Sequence, residues 1–130
     1  MKLEGRKIYK GTASGEAIVT SQGISFFGGV DSETGVVVEK DHELEGQSIS
    51  GKVLIFTTGK GSTVGSYTIY QMKKGNTAPI AIVNETIDTV IAVGCIISEI
   101  PCVDKIDISK IKTGQIVTVD GTNGIIEVEE

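Results

Sequence analysis

The chain has 130 residues, of which 39% are hydrophobic and only 5% aromatic, and its formal net charge is −5. This length fits one domain, residues 1–130, with one core built mainly from Ile and Val. The acidic balance argues against nucleic-acid binding, which needs cations to neutralise phosphates. No stretch approaches a membrane-spanning length and the charged N-terminus lacks an apolar signal segment, so we expect a cytoplasmic protein that binds no membrane.

The first half of the chain alternates short apolar segments with glycine-bearing turns. Strands are predicted at 6–9 and 16–20, on either side of a connection at 11–15. A continuous apolar run at 52–56 is typical of a strand buried on both faces, as in a parallel sheet. These segments favour a β-rich beginning that leads into a parallel arrangement.

A helix is predicted over 63–74, after a loop at 57–62. The helix ends with Lys73 and Lys74, and Gly75 follows it. Cations in the last turn and a glycine just beyond it are the usual stop signals of a helix.

A second unit of strand, helix and strand follows. Strands are predicted at 79–83 and 100–103, and Asn84 is expected to cap the intervening helix, with Asp88 in its first turn. Apolar and small residues at helical spacing predict the buried side of that helix: Ile87, Val90, Ile91, Gly94 and Cys95.

The chain ends in a predicted hairpin of strands 116–119 and 125–128, joined by a turn with the sequence DGTNG. The middle of the chain implies parallel strands with right-handed crossovers, whereas its two ends imply antiparallel pairs. The predicted fold class is α/β with three layers. A central parallel sheet carries helices on one face and a smaller antiparallel sheet on the other.

The segment 58–66, with the sequence TGKGSTVGS, joins a buried strand to a helix. Ligands of open parallel sheets gather at this edge, where helix N-termini attract anions. Gly59 and Gly61 allow close approach of the backbone to a ligand, Lys60 adds a positive charge, and Ser62 lies at the helix entrance. A plain N-capping serine in a common glycine-rich turn is the alternative interpretation.

A second candidate is the segment 25–31, with the sequence SFFGGVD, whose aromatic, glycine and carboxylate side chains could line a site or plug the core. The single histidine, His42, lies in a charged stretch and is expected at the surface, because one histidine without partners makes a poor metal site. Cys95 and Cys102 are expected to be buried core thiols.

Several carboxylates near the end of the chain are expected on solvated edges of the fold. These are Asp104, Asp107, Glu127, Glu129 and Glu130.

An ordered set of segments resembles the swivel domain, or small subunit, of the aconitase X group. The set is SFFGGVD at 25–31, HELEGQ at 42–47, GKVL at 51–54, GKGSTVGS at 59–66, AP at 78–79 and AVG at 92–94. The resemblance covers roughly residues 5–128. It implies the swivelling β/β/α fold that aconitases also carry.

The resemblance also implies a function. A stand-alone small subunit of this kind would act in a heteromeric hydro-lyase that dehydrates 5-phosphomevalonate to trans-anhydromevalonate 5-phosphate in the archaeal mevalonate route to isoprenoids. Its large-subunit partner would carry an iron–sulfur cluster, and this chain would bind no metal. Ser62 matches the proton-accepting serine of the family.

The substrate-binding residues are expected in the two loops, at Ser25, Gly28, Gly29, Asp31, Lys60, Gly61 and Thr63. The family often has Arg where this chain has Lys60, and Lys lacks the planar fork that binds a carboxylate through two parallel bonds.

Three other functions compete with this interpretation. One is a sister dehydratase that acts on a cis-3-hydroxyproline-type substrate. Another is a phosphohistidine carrier, for which His42 is the only candidate. The last is a module without catalytic residues that only binds a partner.

Overall fold

The computed structural model of the protein describes all residues 1–130. The strands are β1 (Lys2–Glu4), β2 (Arg6–Tyr9), β3 (Thr12–Val19), β4 (Val53–Phe56), β5 (Ala81–Asn84), β6 (Cys102–Asp104), β7 (Ile116–Asp120) and β8 (Ile125–Val128). The helices are the short α1 (Phe26–Gly29), α2 (Gly65–Lys74), α3 (Thr89–Ser98) and a 3-10 turn (Ile108–Lys110). No helix has the length and apolar character needed to cross a membrane.

The eight strands are joined in the order β1-β8-β7-β3-β4-β5-β6-β2. β3 belongs to both halves of this arrangement. Its first part pairs antiparallel with β7 from Thr12 to Glu16, and its last part pairs parallel with β4 from Ala17 to Val19. The parallel half is β3-β4-β5-β6, and β2 joins its far edge antiparallel. The predicted parallel and antiparallel sheets are therefore confirmed, and one strand runs through both of them.

The apolar side chains form two clusters, one on each face of the parallel half, rather than the single core that the length suggested. Leu54 and Phe56 of β4 belong to the cluster that packs against α2 and α3. Val53 and Ile55 belong to the cluster shared with β7 and β8. Successive residues of a strand point to opposite faces, so β4 contributes to both clusters. This accounts for its continuous apolar sequence and confirms the three-layer prediction.

Residues 12–15 are part of β3, so the prediction of a connection at 11–15 was wrong except at its first residue. The turn lies at Gly11, whose φ of +110° favours glycine. Gly15 has a different role, because a Cβ there would lie 2.7 Å from Cδ1 of Ile80. The glycine that suggested a turn instead makes room for a neighbouring side chain.

The start of α3 also differs from the prediction. Asn84 is not a cap but the last residue of β5, and its buried side-chain amide donates to the carbonyl of Phe56 at 3.2 Å. The N-cap is Asp88, whose carboxylate accepts from the N–H of Ile91 at 3.3 Å. The strand continues through Asn84 because its backbone pairs with Phe56 of β4.

Asp104 was predicted on a solvated edge, and this was wrong because its side chain is completely buried at the end of β6. Its carboxylate accepts two parallel hydrogen bonds from Arg6 of β2, at 2.9 and 2.8 Å, and a third from the N–H of Ile87 at 3.0 Å. The same contact raises the pKa of the Arg6 guanidinium. The other four carboxylates, Asp107, Glu127, Glu129 and Glu130, are exposed as expected.

Replacing Asp104 with Ala should lower the free energy of unfolding by about 3 kcal/mol, because the variant removes a buried carboxylate and leaves the N–H of Ile87 without its acceptor. Glu127→Ala, at an exposed carboxylate of β8, is the control and should change the stability by less than about 0.5 kcal/mol. Urea denaturation followed by circular dichroism measures both. Equal losses in the two variants would contradict a structural role for Asp104.

Candidate functional site

The two loops singled out in the sequence lie side by side at the carboxyl end of β4. The backbone of Ile24 accepts from the N–H of Lys60 at 3.0 Å and donates to the carbonyl of Thr58 at 3.2 Å. This short parallel bridge joins the 25–31 loop to the segment between β4 and α2. The edge of the sheet that the sequence indicated as a ligand site therefore brings both candidate segments together.

Gly61 and Ser25 are in close contact across this junction. Gly61 has a φ of +89°, and a Cβ at that position would overlap the hydroxyl oxygen of Ser25. The Ser25 hydroxyl itself donates to the carbonyl of Phe27 at 3.1 Å, within its own loop. Gly61 is thus required both for the backbone conformation and for the approach of the two loops.

Ser62 is exposed, and its hydroxyl oxygen accepts one hydrogen bond, from the N–H of Val64 at 3.1 Å. It is not the N-cap that the alternative interpretation required, because α2 begins at Gly65 and Val64 occupies the cap position without a side-chain bond. The Ser62 hydroxyl does not donate a hydrogen bond to any acceptor in this chain.

The consecutive backbone N–H groups of Gly61, Ser62 and Thr63 have no acceptor within the chain. The amides of the first turn of α2 are already bonded, since Gly65 donates to the Ser62 carbonyl at 3.0 Å and Tyr67 donates to the Val64 carbonyl at 3.0 Å. The groups available to an anion are therefore those of the loop before the helix. Free amides in a loop are donors for the oxygens of a bound anion.

Lys60 is half exposed and makes an ion pair with Glu39, with 2.9 Å between Nζ and Oε2. The other oxygen of Glu39 lies beside the backbone of Gly29, where a Cβ would be 3.3 Å from it. Glu39 thus connects Lys60 to the 25–31 loop. Glu39 was not predicted from the sequence, because no motif around it distinguishes it from other surface glutamates.

The remaining predicted residues differ in their placement. Thr63 follows Ser62 directly and is exposed, and Gly28 is exposed with a φ of +85° and open space beside it. Asp31 begins a separate turn, in which its carboxylate accepts from the N–H of Glu33 at 2.9 Å. The hydrogen bonds of Asp31 all lie within this turn, and none of them joins its carboxylate to the Ser62 loop.

His42 was predicted at the surface, and this was wrong because it is only 7% exposed. Its Nδ1 accepts from the N–H of Leu44 at 3.0 Å, so the proton is on Nε2, which lies 3.0 Å from the carbonyl of Gly23. The ring ties the segment 42–44 to the entry of the 25–31 loop. Because both ring nitrogens are engaged, the geometry argues against a phosphohistidine carrier.

Cys95 and Cys102 are both buried, as expected. Their contact, together with burial, raises the pKa of the Cys102 thiol well above its ordinary value. No group of three or more His, Cys, Asp or Glu side chains is arranged to hold a metal ion. The residues of this chain therefore do not fit an iron–sulfur cluster.

Comparisons with known proteins agree over nearly the whole chain. A family model described as the aconitase X swivel domain matches residues 2–128. A protein of Thermococcus kodakarensis named phosphomevalonate dehydratase small subunit is 55% identical, over 100% of this chain and 98% of its own length. A protein of Methanosarcina acetivorans with the same name is 52% identical, over 98% of this chain and 91% of its own length.

A solved structure is equally similar. The crystal structure of Thermococcus kodakaraensis aconitase X in its holo-form superposes with a TM-score of 0.98 at 54% identity, covering 100% of this chain and 99% of that one. The three-layer arrangement and the loops described above thus recur in an experimentally determined fold.

Gly61→Ala should destabilise the protein more than Gly28→Ala. Both residues have positive φ, which costs a residue with a Cβ about 1–2 kcal/mol, but only Gly61 also faces Ser25. Urea denaturation of both variants measures the difference, and adding Ser25→Ala to Gly61→Ala should recover part of the excess loss. If the two glycine variants lose the same stability, the close contact between the loops is not a constraint.

Proposed function

The chain belongs to the aconitase X swivel domain family, and we propose that it is the small subunit of a phosphomevalonate dehydratase. The observation that carries this proposal is the similarity to small subunits of that name from Thermococcus and Methanosarcina species, at 50–55% identity over at least 98% of this chain and 91% of theirs. The reaction removes water from 5-phosphomevalonate and forms trans-anhydromevalonate 5-phosphate.

The proposed roles of the two subunits follow from the groups that this chain contains. It supplies a loop with a serine hydroxyl, free backbone amides and one cation. All of these groups are exposed, and they form only part of a site. The large subunit supplies the residues on the other side of the substrate and the iron–sulfur cluster, for which this chain has no ligand set. When bound there, the cluster would supply Lewis-acid chemistry toward the leaving hydroxyl group.

Ser62 is the proposed proton acceptor. Ser62 acts in its alkoxide form, after its hydroxyl proton has passed to solvent. The alkoxide takes the proton from the carbon next to the substrate carboxylate and becomes a neutral hydroxyl, the electrons of that C–H bond form the double bond, and the hydroxyl group of the neighbouring carbon leaves with its bonding electrons. An exposed serine is far too weak a base in water. The free amides at 61–63 and the charge of Lys60 would stabilise the alkoxide form of Ser62 before the transfer, and a dry interface with the partner would strengthen both interactions.

Lys60 and the free amides are the proposed anion-binding groups for the substrate, which carries a carboxylate and a phosphate. In the free chain Lys60 is held by Glu39, so a substrate anion must share or replace that ion pair. Lys offers a point charge rather than a planar fork, so the backbone amides would provide the directional hydrogen bonds.

Ser62→Ala should lower kcat by about a thousandfold, the range expected for loss of a general base, in anaerobic turnover of 5-phosphomevalonate with the cluster-bearing large subunit. The folded state should not change, because the only hydrogen bond of the Ser62 hydroxyl is the one from the N–H of Val64. Ser109→Ala, at an exposed serine on the 3-10 turn, is the matched control and should retain full activity.

Near-normal turnover in Ser62→Ala would exclude Ser62 as the base and leave the family assignment intact. If this chain and the large subunit convert a hydroxyproline substrate but not 5-phosphomevalonate, the proposed substrate is wrong.

Lys60→Met should raise KM about tenfold or more, since a charge-assisted hydrogen bond to the substrate is lost. Glu39→Gln should lower KM by about threefold, because an exposed ion pair of modest strength no longer competes with the substrate for Lys60. In the double variant the effect of Glu39→Gln should disappear. Steady-state kinetics of all four proteins form a double-mutant cycle, and additive effects would show that Glu39 does not act through Lys60.

A further inference from the structure

α3 is an apolar helix that lies at the surface of the isolated chain. Its ten residues, Thr89–Ser98, include no charged side chain. Ile91, Gly94 and Cys95 are buried, whereas on another side of the helix Val93, Ile96 and Ile97 are 41%, 49% and 41% exposed. A helix that is apolar on all sides is normally covered on all sides. The outer side of α3 is therefore an unpartnered apolar surface.

A groove of about 340 Å³ runs between this side of α3 and the first turns of α2. It is lined mainly by Thr63 and Tyr67 on one side and by Val90, Val93 and Ile97 on the other. We call the exposed apolar surface around this groove, formed by Val64, Tyr67, Val93, Ile96 and Ile97, the outer helix face. The only charges on α2, Lys73 and Lys74, lie in its last turn.

The floor of the groove is held firmly in place. The Ser66 hydroxyl donates to the carbonyl of Val90 at 2.6 Å and so joins the two helices near the candidate site. Further along, Gly94 lets α3 approach α2, since a Cβ there would lie 2.6 Å from Cδ1 of Ile69. The groove is thus a preformed feature of the packed helices, and a preformed apolar concavity is the kind of surface that accepts an anchoring side chain of a partner.

We propose that the outer helix face is the surface on which the large subunit docks. This inference rests on the proposed function, in which a partner completes the site at Ser62. The groove begins at Thr63, the residue directly after Ser62, so a protein that closes over the loop also meets the outer helix face. The relatives named small subunits have the length of this chain, so the partner that this name requires is a separate polypeptide.

The opposite side of the molecule has a different character. The outward face of the antiparallel sheet carries Lys2, Glu4, Ser14, Glu16 and Glu127, all exposed. Interfaces that remain associated bury an apolar centre and deplete charge there. The outer helix face meets this description and the outer sheet face does not, so the docking partner presents a largely apolar surface with a side chain that fills the groove.

The test measures the affinity of this chain for the cluster-bearing large subunit by isothermal titration calorimetry under anaerobic conditions. The variant Val93→Lys/Ile97→Lys places two charges in the outer helix face and should weaken binding by at least about a hundredfold, as expected when central contacts of an interface are lost. Ile116→Lys is the matched control, because Ile116 is 40% exposed but lies on β7, and its affinity should remain that of the wild type.

Circular dichroism and the Tm of each variant show that it is folded before binding is measured. Wild-type binding that persists unchanged in Val93→Lys/Ile97→Lys would overturn the docking surface and leave the proposed function standing. Absence of binding by the wild-type chain would instead overturn the proposed function. Sedimentation of the wild-type chain alone as a dimer, and of the double variant as a monomer, would assign the face to a second copy and overturn the proposal.

Discussion

The burial of β4 and β5 on both faces is the constraint on which the rest of the molecule depends. Every residue of the two strands is buried, and alternate side chains enter the cluster under the helices and the cluster under the hairpin. A strand of this kind cannot slip by one residue without exchanging its two sets of side chains. The carboxyl end of β4 is therefore held at a fixed position relative to the neighbouring strands, and the loop that carries Ser62 begins there.

Specific interactions stabilise both edges of the parallel half of the sheet, from which this loop extends. β3 passes from the parallel half into the antiparallel half, so the two β layers share one backbone. At the other edge, the ion pair of Arg6 with buried Asp104 ties β2 to β6, and Asp104 also binds the N–H of Ile87 just before α3. The start of α3 is thus anchored to the same sheet as the Ser62 loop.

The backbone of the proposed functional loop is held by contacts within the chain, but the loop offers only part of a site. Gly61 packs against Ser25, and the bridge at Ile24 fixes the loop to its neighbour. The Ser62 hydroxyl accepts only the N–H of Val64, and the amides at 61–63 have no acceptor within the chain. A preorganised half-site of this kind has its donors in place before a partner arrives, which reduces the cost of ordering them during the reaction. The apolar outer helix face beside the loop is consistent with a domain that acts only when another protein covers it.

The sequence by itself determined the elements whose signals are local. The apolar run at 52–56, the lysines before Gly75 and the turn between 116–119 and 125–128 led to the observed strand, helix end and hairpin, because hydrophobic periodicity and turn chemistry act over a few residues. The ordered set of six segments from 25–31 to 92–94 identified the family, since both their order and their spacing are present in the sequence. Only the tertiary structure decided the roles of Gly15, His42, Asn84 and Asp104. Each of these was assigned wrongly because its surroundings come from segments distant in sequence: Ile80 beside Gly15, Gly23 beside His42, Phe56 beside Asn84, and Arg6 beside Asp104. The ion pair of Lys60 with Glu39 was missed for the same reason, because burial and polar pairing depend on which distant groups the packed sheet brings within reach.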